Sequence, residues 1–292
     1  QKTAYEIRNC DWSSDVCSSD LAPVAPPEPP PSDGFAAPER IVAVGDLHGD
    51  LEASKAVFQL AGLIDETGHW SGGKAWLVQT GDTVDRGPDS KGVLALLRTL
   101  EQEAAAAGGR VLPLLGNHEV MNMTGDWRYV NPEDLQGYGG EAARKAAFTE
   151  SGEDGRWLRT HDTTVRVGST VFVHGGIDER WSRLGTRGIN AGVRAALGGG
   201  DPTILGSDGP LWNRAYLLSD PVTACAELGR ALTNLGATRM VVGHTTQKSG
   251  TVGTLCGGQL YAIDTGISAH YGRHLAALEI RGEKVTPLEP SP

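Results

Sequence analysis

A chain of 292 residues with 26 Lys and Arg against 36 Asp and Glu carries a formal net charge of −10. An acidic balance of that size argues against an extended nucleic-acid interface, which needs a basic stripe. No apolar stretch approaches the ~18 residues of a membrane-spanning helix.

The first residues stand apart. Asp11 to Leu21 is the translation of a short-read library adapter, Gln1 to Ile7 that of its companion, and Arg8 to Cys10 fall where the index lies. Gln1 to Leu21 is therefore expected to be an assembly artefact and is set aside as an expression scar would be. The native N-terminus is then missing, and removing Lys2, Arg8, Glu6, Asp11, Asp15 and Asp20 leaves the balance acidic. Ala22 to Pro38 holds seven prolines and no apolar periodicity, so a disordered linker is expected. Such linkers follow export signals or lipid anchors, which makes a periplasmic or otherwise exported enzyme the preferred expectation and a cytoplasmic one the alternative.

About 250 residues remain, 39 to 290, enough for one α/β domain with a sizeable core. Ile41 to Val44 reads as a buried strand and leads into Gly45-Asp46-Leu47-His48-Gly49. Helical apolar spacing follows from Leu51 to Ala61. Ala75 to Val78 is a second strand, ahead of Gly81-Asp82-Thr83-Val84-Asp85-Arg86-Gly87, and Ser90 to Ala107 a second helix. Val111 to Leu115 leads into Gly116-Asn117-His118-Glu119. Val171 to Val173 precedes His174-Gly175-Gly176. A helix from Ala224 to Leu235 precedes Met240 to Val242 and Gly243-His244-Thr245. The segments 121–160 and 177–207 interrupt this order with polar, Gly-rich and partly helical material and are expected to form the cap and rim of a cleft.

Five polar segments just beyond strand-like runs lie where open α/β sheets place their sites. Asp46 and His48, two apart on an extended segment, project to one side and can hold one ion. Asn117, His174 and His244 offer an amide oxygen and two imidazoles for a second. Asp82 can bridge ions roughly 3.5–4 Å apart. Mixed oxygen and nitrogen ligands suit Mn, Fe or Zn better than Ca or Mg. Two ions sharing a carboxylate can share a water acidified toward neutrality, available for in-line attack on phosphorus. Arg86 is placed to meet the phosphoryl oxygens, and Arg214 in Gly209-Pro210-Leu211-Trp212-Asn213-Arg214 is a second candidate. His118 can protonate the leaving oxygen, oriented by Asp85. Arg128 and Tyr129 are candidate substrate contacts. The set predicts a two-metal phosphoesterase.

The pattern resembles the calcineurin-like metallophosphoesterases, most of all the phosphoprotein phosphatase branch, through Asp85-Arg86-Gly87 and Gly116-Asn117-His118-Glu119. Within it the chain is similar to bacterial and Shewanella-like protein phosphatases, through Met121-Asn122, Gly125 to Val130, Gly209 to Arg214 and Asp264-Thr265-Gly266-Ile267-Ser268. The likeness spans about Arg40 to Leu288. It implies a four-layer α/β/β/α sandwich with a di-metal centre at the C-terminal strand ends, and hydrolysis of phosphomonoesters, often phosphoserine, phosphothreonine or phosphotyrosine in proteins. No counterpart of the eukaryotic enzymes' C-terminal toxin-binding loop or Asn-Asp-Arg-Gly segment is present. Arg86-Gly87-Pro88-Asp89-Ser90 also resembles diadenosine tetraphosphatases, whose residue at the Asp85 position is typically not acidic. A nucleotide pyrophosphohydrolase is therefore the alternative, and a silent phosphate-binding module a more remote one.

Other residues carry weaker expectations. Cys225 and Cys256 form either a disulfide or two buried thiols. His69 and His161 are expected at the surface, His270 is a candidate for the cleft rim and His274 is read as structural. The tryptophans are read as core or cap packing.

Overall fold

The computed structural model describes residues 34–290. The expected artefact and most of the expected linker lie outside the described residues. Gly34 to Ala37, expected as linker, instead rest on a sheet. Phe35 N donates to the Arg166 carbonyl at 2.9 Å and Phe35 O accepts from Gly168 N at 2.8 Å. The Phe35 ring stands edge-on to Trp76 at 5.3 Å, with the Arg110 guanidinium 4.7 Å from its centroid. Phe35 is thus an aromatic anchor three residues before Pro38.

Among the described residues, ten strands form two five-stranded sheets. The first contains β1 (Ile41–Val44), β2 (Trp76–Gln79), β3 (Arg110–Pro113), β9 (Ala277–Arg281) and β10 (Lys284–Leu288), in the order β10-β9-β1-β2-β3. The second contains β4 (Thr164–Val167), β5 (Thr170–Val173), β6 (Arg239–Val242), β7 (Gly253–Leu255) and β8 (Leu260–Ala262), in the order β4-β5-β6-β8-β7. In each sheet the three strands that lead to polar segments are parallel: β1 to β2 to β3, and β5 to β6 to β8. Antiparallel strands complete the edges.

Alternation along the strands builds the layers. Ile41, Ala43 and Val78 point inward and meet Phe172, Val241 and Ile263 of the other sheet. Val42, Val44 and Leu77 point outward, onto Val57 and Phe58 of α1 (Leu51–Leu60) and Leu97 and Leu100 of α2 (Ser90–Ala106). On the far side Val171, Val173, Met240 and Val242 pack against Ile189 and Val193 of α8 (Gly185–Leu197) and Leu228 and Leu232 of α10 (Pro221–Leu235). Strands β1, β5 and β6 are buried throughout, as strands covered on both faces must be. Each fully buried Leu, Val or Phe contributes about 1.5–3 kcal/mol. The α/β/β/α sandwich is the expected one.

Capping sets the helix starts. Asp50 and Asp89 accept from Ala53 N at 3.0 Å and Gly92 N at 2.8 Å. Helix α10 begins at Pro221, three residues before expectation, because Asp220 caps it and proline suits its first turn.

Segment 121–160 contributes the end of α3 (Asn117–Thr124), then α4 (Pro132–Tyr138), α5 (Glu141–Ala147) and α6 (Glu153–Leu158). Segment 177–207 departs from its expected place. Its α7 (Glu179–Ser182) and α8 supply Trp181, Ile189 and Val193 to the core, so it is a packing layer and not a rim. Beyond it lie α9 (Ala215–Leu218) and α10.

His161 also departs from expectation. It is buried, with its ring edge-on to Trp157 at 4.2 Å. Cys225 of α10 and Cys256, just after β7, are joined in a disulfide with Cα atoms 5.3 Å apart. No helix among the described residues is long and apolar enough to cross a membrane.

Candidate active site

The loops after β1, β2, β3, β5, β6 and β8 converge on a cavity of about 150 Å³. Its walls include Asp46, His48, Asp82, Asn117, His118 and His244. His174, fully buried, stands directly behind them.

Backbone strain concentrates at these loops. Among the described non-glycine residues with positive φ are His48 at 46°, Asp82 at 55°, Asp85 at 69°, Arg86 at 68° and His244 at 64°. Each such residue costs of order 1–3 kcal/mol and persists where its surroundings over-determine it. The surroundings here are specific. Glu119, buried at the start of α3, accepts from Gly116 N at 2.7 Å, Asp82 N at 2.8 Å, Thr83 N at 2.7 Å and Thr83 Oγ1 at 2.8 Å. Leu47 N and His48 N donate to the Asp82 carbonyl at 3.0 and 2.9 Å. His244 N donates to Asp46 Oδ2 at 3.1 Å, which ties the two sheets together at the site. A Cβ on Gly116 would lie 2.2 Å from Asp82 Oδ1, and one on Gly243 would lie 2.4 Å from Asp46 Oδ1. Glycine is required at both.

Two donor groups share Asp82. His48 Nε2 lies 3.8 Å from both Asp46 Oδ2 and Asp82 Oδ2. On the other side His174 Nε2 lies 3.3 Å from Asp82 Oδ2, 2.9 Å from Asn117 Oδ1 and 3.0 Å from His244 Nδ1. The remaining nitrogens are oriented by carbonyls: His48 Nδ1 is 3.3 Å from Val84 O and His174 Nδ1 is 2.9 Å from Thr80 O. That is the backing metal-ligating histidines receive.

The electrostatics suit divalent ions. Burial pushes the His48 imidazole down to about 3 and His244 down to about 2, so both are neutral, as ligands must be. Burial and the neighbouring Asp264 and Asp82 carboxylates push Asp46 well above the usual carboxylate range. Burial also raises Asp264. Burial works in the same sense on Asp82, but His174 and His118 outweigh it and hold that carboxyl well below its usual range. Crowded buried carboxylates beside the neutral His48 and His244 imidazoles form a set of oxygen and nitrogen donors, and divalent cations would relieve the repulsion that raises Asp46. His244 Nε2 is buried without a hydrogen-bond partner. The residues present fit the ions.

His118 Nδ1 meets Asp85 Oδ2 at 2.8 Å, and its Nε2 lies 3.8 Å from Asp82 Oδ2. Arg86 lines the cavity with its guanidinium 3.9 Å over the Tyr129 ring, and its Nε is buried without a partner. Arg214 also lines the cavity, donating through Nη1 to the His244 carbonyl and, at 3.3 Å, to Thr245 Oγ1. Tyr129 is in the wall, its ring 5.2 Å from that of His118.

Arg128 is not brought to the cavity. Its side chain is 65% exposed and pairs with Asp126, Nε to Oδ1 at 2.9 Å. A carboxylate two residues earlier holds it outside.

Several wall residues were not singled out from the sequence. Asp264, after β8, accepts from Thr246 Oγ1 at 2.7 Å and Gly266 N at 3.1 Å. Tyr271, and not its neighbour His270, faces the cavity, its ring 4.9 Å from His48. Trp212, read as packing, is also in the wall, edge-on to His244 at 5.5 Å. The segments Asp264 to Ser268 and Gly209 to Arg214 are visible signals for Asp264 and Trp212; Tyr271 has none of its own.

Comparison with known proteins agrees with this geometry. Residues 39–248 match the calcineurin-like phosphoesterase family. Shewanella-like protein phosphatase 2 of Arabidopsis thaliana is 34% identical over 287 residues, covering 80% of this chain and 73% of that protein. The crystal structure of a cold-active protein-tyrosine phosphatase from a psychrophilic Shewanella species superposes with a TM-score of 0.76 at 27% identity, over 89% of this chain and 83% of that one. A symmetrical bis(5'-nucleosyl)-tetraphosphatase of Methylococcus capsulatus is 26% identical over 282 residues, covering 83% of this chain and 92% of that protein. With the fold, the paired donor groups and these relatives in agreement, the chain belongs to the calcineurin-like phosphoesterases, and is an enzyme of that family with Shewanella-like protein phosphatases among its relatives.

Proposed function

We propose that the enzyme is a metal-dependent protein phosphatase that hydrolyses phosphomonoesters. One observation carries the reading: His118, held from behind by the buried Asp85 at 2.8 Å, lines a cavity of about 150 Å³ together with Asp46, His48, Asp82, Asn117, His244 and both arginines. The phosphatase relatives support the same reading.

Asp46, His48 and Asp82 would hold one divalent ion, and Asp82, Asn117, His174 and His244 the other, with Mn, Fe or Zn suited to these donors. Such a pair, when bound, supplies Lewis acidity and lowers the pKa of water. The protein's own groups do the rest. Arg86 and Arg214 bind and orient the phosphoryl oxygens and meet the charge that develops on them. The Tyr129 face fixes the Arg86 guanidinium. His118 presents the proton at Nε2 to the leaving oxygen, and Asp85 orients the ring through Nδ1. The nucleophile is solvent, because no Ser or Cys lines the cavity and the Thr246 hydroxyl is engaged by Asp264. The aromatic walls Tyr129, Trp212 and Tyr271 suit an aryl leaving group. The Cys225–Cys256 disulfide supports an oxidising, exported location.

The test is turnover of phosphotyrosine and phosphothreonine peptides, para-nitrophenyl phosphate and diadenosine tetraphosphate with added divalent metal. Monoester hydrolysis is expected. Cleavage of the dinucleotide alone would move the function to nucleotide hydrolysis.

A further inference from the structure

Arg144 is among the largest fully buried side chains of the protein, at 1% exposure, yet it belongs to α5 in the cap and touches no ligand of the donor cluster. A guanidinium is rarely carried into an interior unless each of its donors is answered. Here Nε donates to Asp134 Oδ2 at 2.7 Å, Nη1 to Asn122 Oδ1 at 2.5 Å and Nη2 to Asp85 Oδ1 at 3.0 Å. The Phe148 and Tyr138 rings cover it, with centroids 4.7 and 5.6 Å away.

The partners close a ring around Asp85. Asn122 Nδ2 donates to Asp85 Oδ2 at 2.9 Å and to the His118 carbonyl at 2.8 Å. Asp134 Oδ1 accepts from Ser90 N at 2.7 Å, and Ser90 Oγ accepts from Asp85 N at 3.1 Å. Both oxygens of Asp85 are thus held by fixed donors before His118 is counted. A pairing with Asp134 alone would serve to dock the cap helices. The third arm of the fork reaches Asp85.

We propose that Arg144 is a positioning residue, which clamps the Asp85 carboxylate so that Oδ2 holds His118 Nδ1 and Nε2 is kept toward the leaving oxygen. The inference rests on the proposed acid role of the His118–Asp85 pair. It makes the cap part of the proton-delivering machinery.

Leaving-group basicity separates this role from a structural one, because a poor leaving group needs the proton and an activated one does not. Wild type, Arg144→Lys, Arg144→Met and Asn122→Ala, each as the full metal-loaded chain, would be assayed on phenyl phosphate and para-nitrophenyl phosphate, with bound metal measured. Arg144→Met is expected to lower kcat on phenyl phosphate by about 30-fold or more and on para-nitrophenyl phosphate by about threefold or less, given about 10²–10⁴-fold for general-acid catalysis. KM and metal content should be unchanged, and Arg144→Lys should recover part of the loss. Asn122→Ala should show the same leaving-group dependence, which keeps the test decisive if Arg144→Met does not fold. Adding Arg144→Met to Asp85→Asn should cost little more than Asp85→Asn alone. Equal losses on both substrates, or activity falling in step with metal content, would overturn the inference. A wild type inactive on both esters would instead remove the phosphatase reading beneath it.

Discussion

The ligand cradle and the acid network open onto one cavity but are built differently. Every member of the cradle lies one to four residues past a strand end or at the start of α3, in loops that backbone contacts and the Glu119 carboxylate at the start of α3 hold in strained conformations. The acid network takes His118 and Asp85 from the same loops but fixes them with Asn122, Asp134 and Arg144, side chains from three helices. Topology places the first and packing places the second. The two should therefore fail in different ways.

Asp82→Asn should cause the largest loss, more than about 10³-fold in turnover, because this carboxylate is common to both donor groups. Bound metal measured on the purified variant should fall with it. His118→Asn should lower kcat by about 10²–10⁴-fold while metal content stays at the wild-type level. Were the His118 variant to lose metal as well, cradle and network would be one unit and the contrast would break. Arg86→Ala should cost about 10²–10³-fold in kcat/KM, with metal retained, since it removes a fixed cation from the phosphate. Cys225→Ser should leave activity intact and lower stability to urea by about 4 kcal/mol, for a bridge spanning 31 residues. Arg128→Ala should change kcat/KM by no more than about twofold, as expected for an exposed side chain off the cavity. A large effect would return Arg128 to the substrate site.

The same contrast explains what could be read from the residues alone. Buried strands followed by a polar side chain next to or within two residues of a glycine are a local signal, and Asp46, His48, Asp82, Asn117, His174 and His244 all carry it. Asp264 lies in an equivalent place, after the apolar run Leu260 to Ile263 and inside the segment that carries the family resemblance, but no Gly precedes it and no role is read for it from the residues alone. Arg144 sits in Glu141-Ala142-Ala143-Arg144-Lys145-Ala146-Ala147, which reads as a solvated helix. Nothing local shows that Asp85, Asp134 and Asn122 meet there. His161 departs from its surface expectation for the same reason: its turn-like neighbours conceal the packing on Trp157 that buries it. Segment 177–207 reads as polar and Gly-rich, but the apolar residues that place α8 against β5 and β6 are few and widely spaced.

The most direct test is chelation and metal restoration, with turnover of a phosphotyrosine peptide and bound metal followed together in wild type, Asp82→Asn and His118→Asn. The predicted result is wild-type turnover that disappears on chelation and returns with divalent metal, reduced metal binding in Asp82→Asn, and normal metal binding without normal turnover in His118→Asn. Peptide turnover that survives complete removal of metal would contradict the account.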